Sequence, residues 1–163
     1  LGDVYKRQVY TNRTIISVKE VSELRDEYIA VLKRLHGEEF SVSQQEFEIL
    51  LNQPNELVTF LLVDGKLAAS AQASFHYRFP HFEAFVNNVV THSDYGGQGL
   101  GRQVMESLES AVQKQWGENG TRSINMLLSN SPAKGNGGFY EKLGWTSRGP
   151  NSTSPTVMWV KTI

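Results

Sequence analysis

Apolar residues recur at helical spacing through Val21, Leu24, Tyr28, Val31, Leu32 and Leu35. Such a stripe predicts an amphipathic helix that buries one face and ends near Gly37. A second, shorter helix is announced by Ser43-Gln44-Gln45-Glu46. Here a serine hydroxyl can satisfy a free helical N–H while the glutamate reaches back to the serine amide. Phe47, Leu50 and Leu51 give that helix its apolar face, and it stops before Pro54. Upstream of both helices, residues 14–18 read as a first strand.

From Leu57 the period changes to two. Residues 57–63 predict a strand, Asp64-Gly65 a tight hairpin turn, and residues 66–79 a long partner strand. In that partner Leu67, Ala69, Ala71, Ala73, Phe75, Tyr77 and Phe79 alternate with Ser70, Gln72, Ser74, His76 and Arg78. The alternation predicts one apolar and one largely polar face. After a turn at Pro80-His81, Phe82, Ala84 and Val86 continue an apolar face, on which Asn88 falls next. Adjacent Val89 and Val90 then break the phase, which predicts a β-bulge.

Leu100, Val104, Leu108, Ala111 and Val112 mark another helix, ending around Gly117. A strand follows at 124–128, then a helix capped and started by Ser131-Pro132 and weakened by Gly135, Gly137 and Gly138. Gly144 is its expected terminator, residues 149–155 are turn-rich, and 156–161 supply a final strand. No internal repeat or linker interrupts the pattern. The reading is one mixed α/β domain over residues 9–163. Residues 1–8 lack a clear period and an initiator Met, and are set aside as a tail that is disordered or foreign to the domain.

Composition narrows the classes of function. The chain has 163 residues, 39% hydrophobic and 20% charged, with a net charge of −1, which suits one globular domain with a real core. It carries no basic stripe and no apolar run of membrane-spanning length, so neither a nucleic-acid nor a membrane partner is expected. The lack of cysteine excludes disulfides, thiolate metal sites and a cysteine nucleophile. No secretory signal is seen, and a cytoplasmic location is expected.

The candidate chemistry lies in Asn87–Arg102, NNVVTHSDYGGQGLGR. Its order is strand, glycine-rich loop, helix start. Glycines let the main chain approach a ligand, and the first N–H groups of a helix lack intrahelical acceptors, so the junction suits an anion such as phosphate. Two familiar phosphate loops fail residue by residue. Gly96 and Gly101 begin a P-loop, but Arg102 stands in place of its lysine and Gln103 in place of the hydroxyl that holds magnesium. The dinucleotide pattern started by Gly97 and Gly99 meets Arg102 where its third glycine belongs. What remains is a pyrophosphate cradle without a metal.

The run from Val89 to Gly101 resembles the acetyl-CoA signature of the GNAT N-acetyltransferase superfamily, whose core is [QR]-x-x-G-x-[GA]. Gly96 departs from it, standing where the family has Gln or Arg. A second element, Phe139-Tyr140-Glu141-Lys142-Leu143-Gly144-Trp145, is similar to the family's F-Y-x-x-x-G-F. The resemblance implies an acyl-CoA N-acyltransferase fold: a mixed, mostly antiparallel, splayed sheet flanked by helices. It implies transfer of an acetyl group from acetyl-CoA to a primary amine by direct attack in a ternary complex, with no metal. The acceptor would be a small molecule or a peptide, and homodimerisation stays open.

The resemblance also assigns roles. The main chain of Val89, Val90 and Thr91 would hold the pantetheine arm and thioester carbonyl. Gly97, Gln98, Gly99, Leu100, Gly101 and Arg102 would hold the pyrophosphate, the last through its backbone N–H. Apart from the resemblance, Asn130 and Asn136 are either donors to pantetheine or phosphate or turn and helix-surface residues. Tyr140 is the expected acid for the departing thiolate, against a purely core role beside Phe139 and Leu143. Relatives carry a glutamate near the position of Asn87, and an amide accepts no proton at neutral pH. The base therefore falls to Glu83, which shares strand parity with Asn87, or to His76 on the adjacent strand. Glu38 and Glu39 are either acceptor ligands or a solvated loop. Gly96 and Asn87 also leave open a non-catalytic acyl-CoA-binding sensor or interaction module of the same fold. A nucleotide-binding protein with a modified P-loop is the weakest alternative.

Overall fold

A computed structural model describes residues 6–78, 80–118, 122–130, 137–150 and 157–163. Seven strands form one open, mostly antiparallel sheet in the order β1 (Arg7–Thr11), β2 (Glu56–Val63), β3 (Lys66–Arg78), β4 (His81–Thr91), β5 (Asn125–Asn130), β7 (Val157–Thr162), β6 (Thr146–Pro150). The helices are α1 (Val21–His36), α2 (Gln44–Asn52), α3 (Leu100–Gln115) and α4 (Gly137–Lys142). By packing, the chain divides into two units: residues up to Gln72 with Asn88–Ala111, and Ala73–Asn87 with Val112–Ile163. Among the described residues, no helix is long and apolar enough to cross a membrane.

In the first unit the helical stripe of α1 is buried as expected. Leu24, Tyr28, Val31 and Leu32 pack with Phe47 and Leu51 of α2 against Val58, Phe60 and Leu62 of β2. Full burial of a Leu or Phe side chain of this kind stabilises a fold by roughly 1.5–3 kcal/mol. Gly37 ends α1 at φ 93°, and Asp64 and Gly65 take φ 50° and 83°, as a two-residue hairpin between right-twisted strands requires. Asn12, 2% exposed, ties the end of β1 to its neighbours. Its amide donates to the Leu51 and Glu56 carbonyls, and its oxygen accepts from the Val58 N–H.

Three expectations need correction here. The first strand is Arg7–Thr11, paired antiparallel with β2 from Arg7↔Val63 to Thr11↔Thr59. Residues 15–17 form a short 3-10 turn in which Ile15 is buried while Ile16 and nearby Val18 face solvent. Arg7 and Gln8, set apart as tail, are thus strand residues. On the polar face of β3, Ser70 and Gln72 are buried. Ser70 donates to the Thr59 carbonyl, and Thr59 in turn donates to carbonyls of Ala71 and of Val104 in α3. Neighbours on both faces enclose this part of the strand, so its polar side chains bond protein groups instead of water. In α3 itself Leu100, Val104, Met105, Leu108 and Val112 are buried, whereas Ala111 is only partly so.

The cap of α2 has the expected reciprocal form. Ser43 Oγ accepts from the Glu46 N–H, and a Glu46 carboxylate oxygen accepts from the Ser43 N–H, both at 3.0 Å. The bond from the Ser43 backbone, with that from its side chain, holds the Glu46 carboxyl below its usual range. A carboxyl lowered on folding contributes stability that is present above its unfolded pKa, about 4.3 for Glu, and is lost as pH falls through the folded value. Glu46→Ala should therefore lower Tm at pH 7 and differ little from the parent at pH 2. An equal deficit at both values would mean that the charge plays no part in the cap.

The second unit holds β5, β6, β7, α4 and the parts of β3 and β4 nearest their connecting turn. β4 and β5 run parallel with pairs from Glu83↔Asn125 to Val86↔Leu128, and β5 pairs antiparallel with β7 from Asn125↔Thr162 to Asn130↔Val157. β6 was not expected, since Gly149 and Pro150 read as a turn. It pairs with β7 across a register shift between Ser147 and Pro150, an irregularity that hides a strand from period-two reading. α4 is described from Gly137, and Gly144 follows it at φ 90°. The expected start at Ser131-Pro132 lies outside the described residues.

Candidate active site

The glycine corner is built by opposed local demands. His92 Nδ1 accepts from the Asp94 N–H and caps a single 3-10 turn over 93–95. The chain then passes through Gly97 at φ 75° and Gly99 at φ 74°, left-handed values that a Cβ disfavours. α3 begins at Leu100, whose side chain is buried and anchors the corner. Gln103 N–H donates to the Gly99 carbonyl and starts the helical ladder, so the amides before it carry no intrahelical bond. Gly96, Gly97, Gly99 and Arg102 are exposed, and a Cβ at Gly97 or Gly99 would meet nothing within 4 Å. An open loop with two left-handed residues feeding a helix N-terminus fits an anionic group such as a diphosphate. The Arg102 side chain is turned along the helix, with Nε 2.7 Å from Glu106, which leaves its backbone as the group at the corner.

Arg7 supports this corner and was missed by sequence reasoning. Its guanidinium donates to the Gln98 carbonyl at 2.9 Å and to the Gln103 side chain at 3.3 Å. It adds a positive charge beside the loop from 91 residues upstream. No local motif encodes such a contact, because it depends on β1 lying at the sheet edge.

Beside the position of the expected β-bulge the backbone of β4 turns left-handed. Asn88 takes φ 52°, a left-handed conformation inside a strand. Asn tolerates that conformation better than most residues. Its side chain is held in place: Oδ1 lies 2.8 Å from His36 Nε2, and Nδ2 donates to Gln72 Oε1 at 3.2 Å. Gln72 donates onward to Glu56, and Tyr28 bonds Asn88 as well. Burial pushes the Tyr28 phenol well up, partly offset by Asn88. Beyond the break Val90 is buried in the α1–α2 core and Val89 and Thr91 are half-buried. The Thr91 carbonyl accepts from Arg34 of α1, and the His92 N–H donates to the Ala68 carbonyl of β3. Glu38 and Glu39 are exposed on the turn after α1.

In the second unit Glu83 has a side chain only 13% exposed, with Arg78 Nε 3.6 Å away. It opens on a cavity of about 660 Å³ whose apolar wall includes Phe85, Leu127 and Met158. Asn87 is exposed, and His76 is exposed with its ring edge-on to Phe85. Glu83 and His76 therefore lie in the same unit, with Glu83 alone of the two lining the cavity. Tyr140, 5% exposed, sits on α4 among Phe139, Trp145 and Trp159. Burial raises its phenol, so it keeps its proton at neutral pH. Asn130 ends β5 opposite Val157, and Asn136 lies outside the described residues.

Known proteins share this fold. Solved structures with the same fold include glucosamine-6-phosphate N-acetyltransferase from Arabidopsis thaliana, 21% identical, covering 91% of this chain and 97% of its own with a TM-score of 0.68. The GNAT domain of S. lividans PAT is 14% identical over 96% of this chain and 90% of its own, with a TM-score of 0.73. Ribosomal-protein-S18-alanine N-acetyltransferase from Escherichia coli is 21% identical over 97% and 93%, with a TM-score of 0.59. No curated protein matches the sequence. The sequence pattern of the acetyltransferase (GNAT) family matches residues 21–145, which spans both the glycine corner and the Phe139–Trp145 element. The chain belongs to the GNAT acetyltransferase family.

Proposed function

We propose that this protein is an acetyl-CoA-dependent N-acetyltransferase that acts on a primary amine by direct attack in a ternary complex. The observation that carries the proposal is the exposed corner at Gly97 and Gly99, with left-handed main chain leading into α3, in a chain of this family. The main chain of Gly97–Arg102 binds the diphosphate, and that of Val89, Val90 and Thr91 binds the pantetheine arm. In support, registered β4–β5 pairs among the described residues end at Val86↔Leu128, before the Asn88 break. Asn130 and Asn136 are proposed as further cofactor contacts.

Acetyl-CoA supplies an acetyl thioester. The amine nitrogen bonds to the acetyl carbon, the carbon–sulfur bond breaks, and the proton shed by the amine is balanced by one gained by the thiolate. An ammonium has no lone pair, so a base must first take a proton. Glu83 is that base, directly or through a water, because among the described residues it is the carboxylate lining the cavity. A backbone N–H near Val90 stabilises charge on the carbonyl oxygen. Tyr140, kept protonated by burial, donates to the leaving sulfur.

Tyr140→Phe should lower kcat by up to about a hundredfold, the lower end for loss of a general acid, with acetyl-CoA affinity nearly unchanged, measured by thiol release and calorimetry. An unchanged kcat would return Tyr140 to a core role. The acceptor does not carry over from relatives, since two of similar fold are named for an amino sugar phosphate and for a protein alanine. The test of the whole reading is thiol release from acetyl-CoA against a panel of primary amines. Binding without release across the panel would favour an acyl-CoA sensor, the reading that Gly96 and Asn87 support.

A further inference from the structure

The cavity beside Glu83 has a charge pattern that selects among amines. Its wall is apolar at Phe85, Leu127 and Met158, and among the described residues its charged groups are Arg78, Glu83 and Arg148. Two guanidiniums thus face one carboxylate, and His81 also lines the space. The three charges differ in depth. The Glu83 side chain is 13% exposed and that of Arg78 is 72% exposed. Arg148, on β6, is exposed too and has no ion-pair partner among the described residues. Arg78 is engaged with Glu83, so the positive charge left over belongs chiefly to Arg148.

We infer that the acceptor amine carries an anionic group, a carboxylate or a phosphate, held at the rim by Arg148 with Arg78, while its amine points inward to Glu83. This rests on the acetyl-transfer reading for the role of the amine, but not for the anion site itself. A planar guanidinium binds carboxylate or phosphate by paired charge-assisted hydrogen bonds. The apolar wall fits a short aliphatic spacer, and the inner carboxylate favours an ammonium in the ground state. A cationic amine with no anion would leave Arg148 unpaired beside its own positive charge.

The test uses matched acceptors: ethanolamine against O-phosphoethanolamine, and β-alanine against its amide, each with acetyl-CoA. At least one anionic member should show a kcat/KM about tenfold or more above its neutral partner, and which pair does so distinguishes phosphate from carboxylate. Arg148→Met should reduce that anionic-to-neutral ratio about tenfold, chiefly through KM. Because Arg148 is exposed, the variant should keep the parent's Tm. Equal or better use of the neutral amines, or a ratio unmoved by Arg148→Met, would overturn the inference while leaving acetyl transfer standing. Binding of both anionic amines is also measured by calorimetry without acetyl-CoA. If no amine releases thiol, yet an anionic amine binds the parent and not Arg148→Met, the anion site stands and the transferase reading falls. No binding and no anionic preference in turnover would sink the inference outright.

Discussion

Replacing Gly97 and Gly99 together by alanine should weaken acetyl-CoA binding about a hundredfold with little change in Tm. Each glycine holds a left-handed φ, where an L-residue pays roughly 1–2 kcal/mol, so the pair loses about 3 kcal/mol. Since 1.4 kcal/mol is a factor of ten in affinity, the strain converts to about two decades if the bound loop needs both conformations. Steric crowding does not confuse the result, because a Cβ at either position meets nothing within 4 Å. Stability should hold, since both residues are exposed and an unliganded loop can relax. Gly96→Ala serves as control: its φ is −59°, and its Cβ would sit 3.9 Å from the Ser93 carbonyl, an ordinary contact. Isothermal calorimetry on the three proteins checks the expectation. Equal affinities would mean that the corner does not bind the cofactor by its main chain.

The other large effect belongs to Glu83. Glu83→Gln keeps the shape of the side chain and removes its capacity to take a proton, so kcat should fall about a hundredfold, near the lower end for loss of a general base. Loss of the Arg78 ion pair is a small confounder, because Arg78 is largely exposed and pairs at 3.6 Å. A variant that retains the parent's rate would exclude Glu83, and His76 would be the next residue to test.

The parts of the fold legible in the sequence are those whose signal is local. The stripe of α1, the reciprocal cap of α2, the Asp64-Gly65 turn and the phase break at Asn88 each depend on residues a few positions apart. The first three are seen in the structure, and Asn88 takes a left-handed φ beside the position of the fourth. What sequence reading missed depends on distant partners. Nothing near Arg7 says that it will pair with Val63 and also reach Gln98. Ser70 and Gln72 alternate like solvent-facing residues, yet their hydrogen bonds run to Thr59, Glu56 and Asn88. β6 has a glycine and a proline at its end and an irregular register, so its strand character comes from β7.

The site divides in the same way. The glycine corner is readable because the role proposed for it is a main-chain role, and consecutive glycines announce where main chain is accessible. The cavity beside Glu83 is not, because Arg78, Glu83, Leu127, Arg148 and Met158 come from five strands. Only Glu83 was singled out beforehand, through strand parity. Arg148 lies in a segment that read as the approach to a turn, with no motif to mark it.

The central claim is that exposed amides at the start of α3 grip a diphosphate. Calorimetry with coenzyme A and with pantetheine, which shares the thiol arm and lacks the diphosphate, tests it most directly. One coenzyme A should bind per chain, with pantetheine at least a hundredfold weaker. No heat with coenzyme A, or equal affinity for pantetheine, would contradict the account.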